Sequence, residues 1–185
     1  MIQSGEYTGA EQMVTLLAKF FRLSLSQGKD MIPLEKELEH ATSYLAIQNI
    51  RFKDKFEFYV NADENLMKYL CPKLSIQPLL ENAIYHGMEG KYEDGEIYIN
   101  VYEKDDVIYI DVVDNGLGMS AEKIEYILTN KVVSSKRGSG IGVRNVNERI
   151  KLIYGNQYGI FIASELDEGT TATITFPKLE EIDEK

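Results

Sequence analysis

The chain has 185 residues, and 30 Asp and Glu against 20 Lys and Arg give it a formal charge of -10. Such a field repels phosphate backbones and excludes a general nucleic-acid surface, leaving room only for a local basic patch. The single cysteine, Cys71, excludes an internal disulfide and a multi-cysteine zinc site, and no apolar run has the length of a bilayer span, so the composition predicts a soluble cytoplasmic domain with its own core.

Apolar Met13, Val14, Leu16, Leu17, Phe20, Phe21 and Leu25 recur at three- and four-residue spacing and predict a helix over 10–25. That stripe needs a partner, either the rest of the molecule or a second copy. Ser26 to Asp30 breaks the pattern. Pro33 then opens a second helix over 34–52, with Glu35, Glu37 and Glu39 in its first turns, where carboxylates complement the helix dipole. The period next changes to two. Phe56, Phe58 and Val60 alternate with polar neighbours as in a half-buried strand, and 61–65 reads as a turn. A third helix is expected from Pro72 through Tyr85. Strands over 96–102 and 107–113 flank Glu103-Lys104-Asp105-Asp106 as a hairpin. Ser120 caps a short helix to about Leu128, and 129–139 is a polar, basic stretch. A helix over 141–154 stops at Gly155, placed for a left-handed cap. Strands over 160–164 and 171–176 flank the turn Asp167-Glu168-Gly169, and an acidic tail follows Pro177. Hairpins with interspersed helices predict an α+β sandwich, not a regular alternation of strand and helix.

Three segments depart from what packing alone asks for. In Gln77-Pro78-Leu79-Leu80-Glu81-Asn82-Ala83-Ile84-Tyr85-His86-Gly87, one helical face mixes apolar with polar groups. An acid beside a carboxamide at a pocket wall orients a nucleophile and holds an oxygen-liganded cation such as Mg2+, but the same pair also suits the wet face of any helix. In Asp111-Val112-Val113-Asp114-Asn115-Gly116-Leu117-Gly118-Met119, a strand ends in an acid followed by a pair of glycines. Asp114 there suits an exocyclic amine while the glycines admit a flat ring; equally, the segment suits an ordinary Asn-Gly turn. The third runs from Lys136 through Gly138, Gly140 and Gly142 to Asn145, straight into a helix. Glycines and a helix N-terminus present N–H groups to phosphate, and Lys136 and Arg137 add local positive charge. The Gly-x-Gly-x-Gly spacing is neither a dinucleotide fingerprint nor a Walker A loop.

In this order the three segments resemble the N box and the two glycine boxes of the GHKL ATP-binding superfamily, and Glu168-Gly169-Thr170-Thr171 resembles its last motif. The likeness is strongest to bacterial sensor histidine kinases of the LytS/YesM type. It is carried by Leu34-Glu35-Lys36-Glu37-Leu38, by 44–52, by Gln77 to Ala83 with His86-Gly87, and by 140–149, so it covers essentially the whole chain. The resemblance implies a Bergerat fold, a two-layer α/β sandwich with a mixed sheet, preceded by a helix of the dimerisation and phosphotransfer hairpin. It implies ATP and Mg2+ as cofactors and passage of the γ-phosphoryl group to a histidine. Asn82 would ligate Mg2+, and Glu81 would position or deprotonate the attacking imidazole. Asp114 would bond the adenine amine, Gly116, Gly118 and Met119 would shape the base pocket, and Thr170 would contact adenine directly or through water. Gly138, Gly140, Ile141 and Gly142, with Lys136 and Arg137, would close over the phosphates, and His86 would touch ribose or phosphate.

Departures from the family pattern refine these expectations. The family carries its phosphoacceptor in a Pro-His-Phe segment, which this sequence lacks. His40 is therefore expected to be structural or solvent-facing, and the chain to be a piece cut within the hairpin. On that expectation 1–30 is the hairpin's second helix, 31–178 the catalytic domain and 179–185 an acidic tail. Tyr85 stands where many relatives have a basic residue. The resemblance also implies a response regulator and a second copy as partners of the full-length protein, with ATP or ADP bound here. It implies no nucleic acid and no direct membrane contact, this part being cytoplasmic in a bacterial plasma-membrane protein. The alternatives are another GHKL ATPase module and a non-catalytic dimerisation or docking fold. The intact Asn82, Asp114 and glycine set speaks against the last.

Overall fold

The computed structural model of the protein describes residues 6–25, 28–52, 55–87, 94–129 and 140–180. A long helix α1 (Glu6–Leu25) leads through the short strand β1 (Met31–Pro33) into α2 (Leu34–Arg51), and β2 (Phe56–Ala62) follows. After β3 (Leu70–Pro72) comes α3 (Gln77–Asn82), continued by a wider, π-type turn over Ala83–Gly87. Strands β4 (Gly95–Lys104) and β5 (Val107–Asp114), helices α4 (Ala121–Thr129) and α5 (Ile141–Tyr154), and strands β6 (Gly159–Glu165) and β7 (Gly169–Pro177) complete the order.

Five strands form one sheet in the order β2-β4-β5-β7-β6. The β2–β4 pair is parallel and the other pairs are antiparallel, so the sheet is mixed, as expected. Its register follows from period-two patterning. Ile97, Ile99 and Val101 on β4, Ile108, Ile110 and Val112 on β5, and Ala172, Ile174 and Phe176 on β7 all turn to one face and are buried. There they join Leu38 and Leu45 of α2, Leu79 and Leu80 of α3, and Val143, Val146 and Ile150 of α5 in a single core. Each such aliphatic side chain stabilises the fold by roughly 1.5–3 kcal/mol. The opposite face carries tyrosines stacked in cross-strand pairs, Tyr59 on Tyr98 at 4.9 Å and Tyr102 on Tyr109 at 5.3 Å between ring centroids. Asp105 and Asp106 both have positive φ, the geometry of a tight hairpin turn between β4 and β5.

Helix α1 packs on α2. Phe20 stacks on His40 at 4.4 Å, Ser24 Oγ hydrogen-bonds His40 Nε2 at 2.9 Å, and Lys19 pairs with Glu39 at 3.0 Å. His40 is thus buried and structural, and the solvent-facing alternative is excluded. The outer face of α1 keeps Val14, Phe21 and Leu25 exposed.

Local periodicity misplaces one helix start. The helix expected from Pro72 begins at Gln77, because Pro72 ends β3, which pairs antiparallel with β1. Residues 73–76 form a turn with Leu74 at φ +57, held by the Glu37 carboxylate, a contact some 37 residues distant in sequence. Strand β2 also runs further than expected, taking in Asn61, whose side-chain amide donates to Asn100 Oδ1 at 2.9 Å. Gly155 ends α5 where expected, with its N–H on the Lys151 carbonyl at 2.9 Å. Its φ of +100 is the positive value that favours glycine, although its ψ of 165 departs from the left-handed helical one.

Candidate nucleotide site

Two cross-strand rows build one wall of a crevice between the sheet and the helices α3 and α5. Asp114 pairs with Thr170, which pairs with Ser164. One step deeper, Val112 pairs with Ala172, which pairs with Ile162. Leu79, Asn82 and Ala83 from α3 and its continuation, and Val143 from α5, form the other side. An apolar floor of aliphatic side chains with a carboxylate and a hydroxyl at one edge suits a flat heteroaromatic ring. The enclosed volume is about 20 Å³, room for roughly one water. Met119, an unbranched thioether in that wall, adapts its shape more readily than its branched neighbours.

Backbone meets backbone along the upper edge. Gly118 lies at φ +64, where a Cβ would fall 1.8 Å from the Glu165 carbonyl oxygen. Gly169 lies at φ +113, with its Cβ position 2.1 Å from the Asp114 carbonyl oxygen. Only glycine fits such approaches. The Asp167 N–H donates to the Leu117 carbonyl at 2.9 Å and the Gly116 N–H to Asp114 Oδ1 at 2.9 Å, so the loop after β5 is tied to the turn between β6 and β7 and to its own carboxylate.

Ser164 ties the same edge. Its Oγ accepts from the Met119 N–H at 2.8 Å, donates to the Gly169 carbonyl at 2.7 Å, and lies 2.9 Å from Thr170 Oγ1. Because Ser164 has a single proton, given to Gly169, Thr170 is the donor in the third bond. Its lone pairs remain as acceptors for an amine or a water.

On α3, Asn82 lines the crevice. Glu81 is held within α3 by Gln77, whose Nε2 donates to its Oε1 at 2.9 Å. Burial and then the Glu81 charge push the Tyr44 hydroxyl well above its ordinary value. Tyr85 OH accepts from Arg51 Nη1 at 2.8 Å, so a guanidinium from α2 stands beside the π-type turn. Gly140 precedes α5 at φ +67, where a Cβ would touch Ile127, and no side chain among the described residues caps the helix. The first N–H groups of α5, at Ile141 and Gly142, lie at a helix N-terminus, where such groups favour anions.

The sequence-predicted residues Asn82, Asp114, Gly118, Met119 and Thr170 thus converge on one crevice. Gly116 bonds the Asp114 carboxylate. Gly140, Ile141 and Gly142 stand at the start of α5, whose Val143 lines the crevice. Glu81 is the neighbour of Asn82 on α3, at the edge of the crevice lining and held by Gln77 of the same helix. Lys136, Arg137 and Gly138 lie outside the described residues, as does the side chain of His86. Sequence reasoning missed Ser164. The available signal was a polar residue in phase with the inward-facing Ile160 and Ile162 of β6.

A family profile for the histidine kinase-, DNA gyrase B-, and HSP90-like ATPases matches residues 72–180. The chain belongs to this ATPase family. A histidine kinase profile matches residues 1–56. The sensor protein LytS of Bacillus cereus is 36% identical over 170 residues, covering 91% of this chain and 29% of that protein. The sensor histidine kinase YesM of Bacillus subtilis is 34% identical over 171 residues, covering 92% of this chain and 28% of that protein. The chain spans under a third of the length of these curated relatives. In fold it is similar to the histidine kinase domain of the blue-light activated histidine kinase EL346 of Erythrobacter litoralis, with a TM-score of 0.59 at 18% identity, covering 91% of this chain and 74% of that one. The chain thus carries the ATPase domain of this family and is similar in sequence to one part of LytS-type and YesM-type sensor proteins. No helix among the described residues is long and apolar enough to cross a membrane.

Proposed function

We propose that this domain passes the γ-phosphoryl group of ATP to an imidazole nitrogen, as part of a two-component signalling protein. The observation that carries the reading is the meeting of Asp114 and Thr170 across β5–β7 with Asn82 on the facing helix. Asp114 accepts from the adenine amine, Thr170 contacts adenine directly or through water, and Gly116, Gly118 and Met119 frame the ring. The crevice then directs the phosphates toward Asn82 and the N-terminus of α5.

The neutral carboxamide oxygen of Asn82 is a hard donor of the kind Mg2+ favours, so Asn82 would hold the ion. Bound there, it would supply positive charge to the phosphate oxygens. Gly140, Ile141 and Gly142 present backbone N–H groups to the same anion, with Lys136, Arg137, Gly138 and His86 completing the phosphate side. As the phosphorus leaves the β-phosphate oxygen and bonds the imidazole nitrogen, Glu81 orients that ring and receives its proton. The protein supplies chiefly positioning and electrostatic stabilisation.

His40 does not serve as acceptor, because it is 2% exposed and packed under Phe20. We assign acceptor and dimerisation roles to the hairpin of which 1–30 supplies one helix, with 31–178 as the catalytic domain and 179–185 as a tail. The whole protein is read as a membrane-bound homodimer that phosphorylates a response regulator. Calorimetry with ADP, with and without Mg2+, tests the site. Asp114→Asn should weaken ADP binding by about tenfold or more, since a hydrogen bond to a charged partner is lost and a donor faces the amine. An unchanged affinity would overturn the assignment.

A further inference from the structure

Glu37 is the most buried charged side chain among the described residues, 1% exposed on α2. Its carboxylate accepts from three consecutive backbone donors of the turn before α3: Leu74 N–H at 2.8 Å on Oε2, and Ser75 N–H at 2.7 Å and Ile76 N–H at 2.9 Å on Oε1. Leu74, at φ +57, holds a conformation that a leucine rarely adopts without such support. The same turn is gripped from the other side. Arg149 on α5 donates through Nη2 to the Lys73 carbonyl at 2.5 Å and to Ser75 Oγ at 3.2 Å. The Arg149 charge also acts on the Glu37 carboxyl, and with the N–H donors it opposes the upward push of burial.

The turn therefore joins three helices: α2 through Glu37, α5 through Arg149, and α3, which starts directly from it. The helices joined include the pair between which the phosphates would run. Asn82 is on α3, and the glycine-rich start of α5 carries Gly142, whose Cβ position is 3.0 Å from Pro78 on α3. The adenine edge is built separately, by β5, β6 and β7.

We propose that Glu37 and Arg149 are positioning residues for phosphoryl transfer, clasping the 73–76 turn so that Asn82 and the start of α5 hold the metal-bound phosphates at a fixed separation. This rests on the ATP-site reading above. Neither residue touches nucleotide.

The experiment compares ADP affinity with Mg2+ and with EDTA, by calorimetry, in the wild-type chain and in Glu37→Gln. A glutamine keeps the volume but turns an N–H toward backbone donors. The expected result is Mg-free affinity within about twofold of wild type and a drop of about threefold or more in the gain that Mg2+ confers, because adenine recognition does not pass through the clasp. An unchanged gain, or an equal loss in both conditions, overturns the proposal. Should Glu37→Gln melt below the assay temperature, Arg149→Lys carries the same test. It keeps the charge but cannot reach two acceptors in a fork, so the same selective loss is expected and an unchanged gain again overturns the clasp. Absence of any ADP binding to the wild-type chain would overturn the ATP-site reading itself.

Discussion

Gly169 stands so close to Asp114 that a Cβ added to it would fall 2.1 Å from the Asp114 carbonyl oxygen. At φ +113 its backbone is also one that side chains rarely adopt, so Gly169→Ala combines a clash with strain. The conformation alone costs about 1–3 kcal/mol. The clash must be relieved by moving β7 away from the end of β5, which carries Thr170 away from Asp114. We expect Gly169→Ala to lower the melting temperature and to weaken ADP binding by about tenfold or more. Wild-type calorimetric affinity in this variant would mean that the edge between Asp114 and Thr170 does not hold the nucleotide.

Ser164→Ala removes an oxygen that serves three partners at once, leaving the Met119 N–H and the Gly169 carbonyl without it. A polar group deprived of its buried partner costs about 1–3 kcal/mol. Thr170 also loses the acceptor that orients its hydroxyl. The expected outcome is a modest fall in thermal stability together with an ADP affinity lower by about fivefold or more. Restoring the hydroxyl as Ser164→Thr should recover most of the affinity, whereas Ser164→Cys, a weak donor and acceptor, should not.

Gly142 illustrates how a small change sets two terms against each other. Alanine in a helix gains about 1 kcal/mol over glycine. Here, however, its Cβ would lie 3.0 Å from the Pro78 Cβ, so α3 and α5 must part by a few tenths of an ångström. We expect Gly142→Ala to leave the melting temperature within a few degrees of wild type. Its Mg-ADP affinity should nevertheless fall, with the larger Gly142→Val falling further. A rise in stability without loss of affinity would show that the spacing of α3 and α5 is not limiting.

Much of this site was legible because its parts are local. The alternation from Val107 to Asp114 fixes which face of β5 is buried, and the burial seen residue by residue follows it without a slip. That register carries Asp114 to the end of the strand on the inward phase, and the glycines after it mark where chain must approach chain. The start of α5 was legible for the same reason. What was not legible depends on distant partners. Pro72 and Gln77 are separated by a turn that exists because Glu37 reaches it from another helix, and no window of sequence contains both. The pairing of β1 with β3 spans about forty residues and involves only three on each strand, too few for a period to register. Ser164 was passed over because a serine in a strand is unremarkable until its neighbours across β7 are known.

The pH dependence of stability should carry the signature of His40. Burial holds its imidazole below its ordinary value, Nε2 is engaged with Ser24 Oγ, and Nδ1 has no hydrogen-bond partner among the described residues. A proton added at Nδ1 has no acceptor waiting for it. The unfolded chain therefore takes up the proton first as pH falls through about 6.5, and the folded chain only at lower pH. The sign follows: this contribution is fully present above the unfolded value and is lost as pH drops through the folded one. Glu37, whose carboxyl is raised, acts in the opposite sense, its contribution being lost as pH rises through its folded value. Glu39, lowered by its hydrogen bonds to Lys36 and Lys19, loses its contribution in the acid range below both. A difference between variants cancels these shared terms. We expect melting temperature to fall from about pH 7.5 to about pH 5.5 in the wild-type chain and to fall less in His40→Gln. Parallel melting curves for the two proteins across that interval would show that His40 charges freely in the fold, and the packing of α1 on α2 would then not depend on a neutral imidazole.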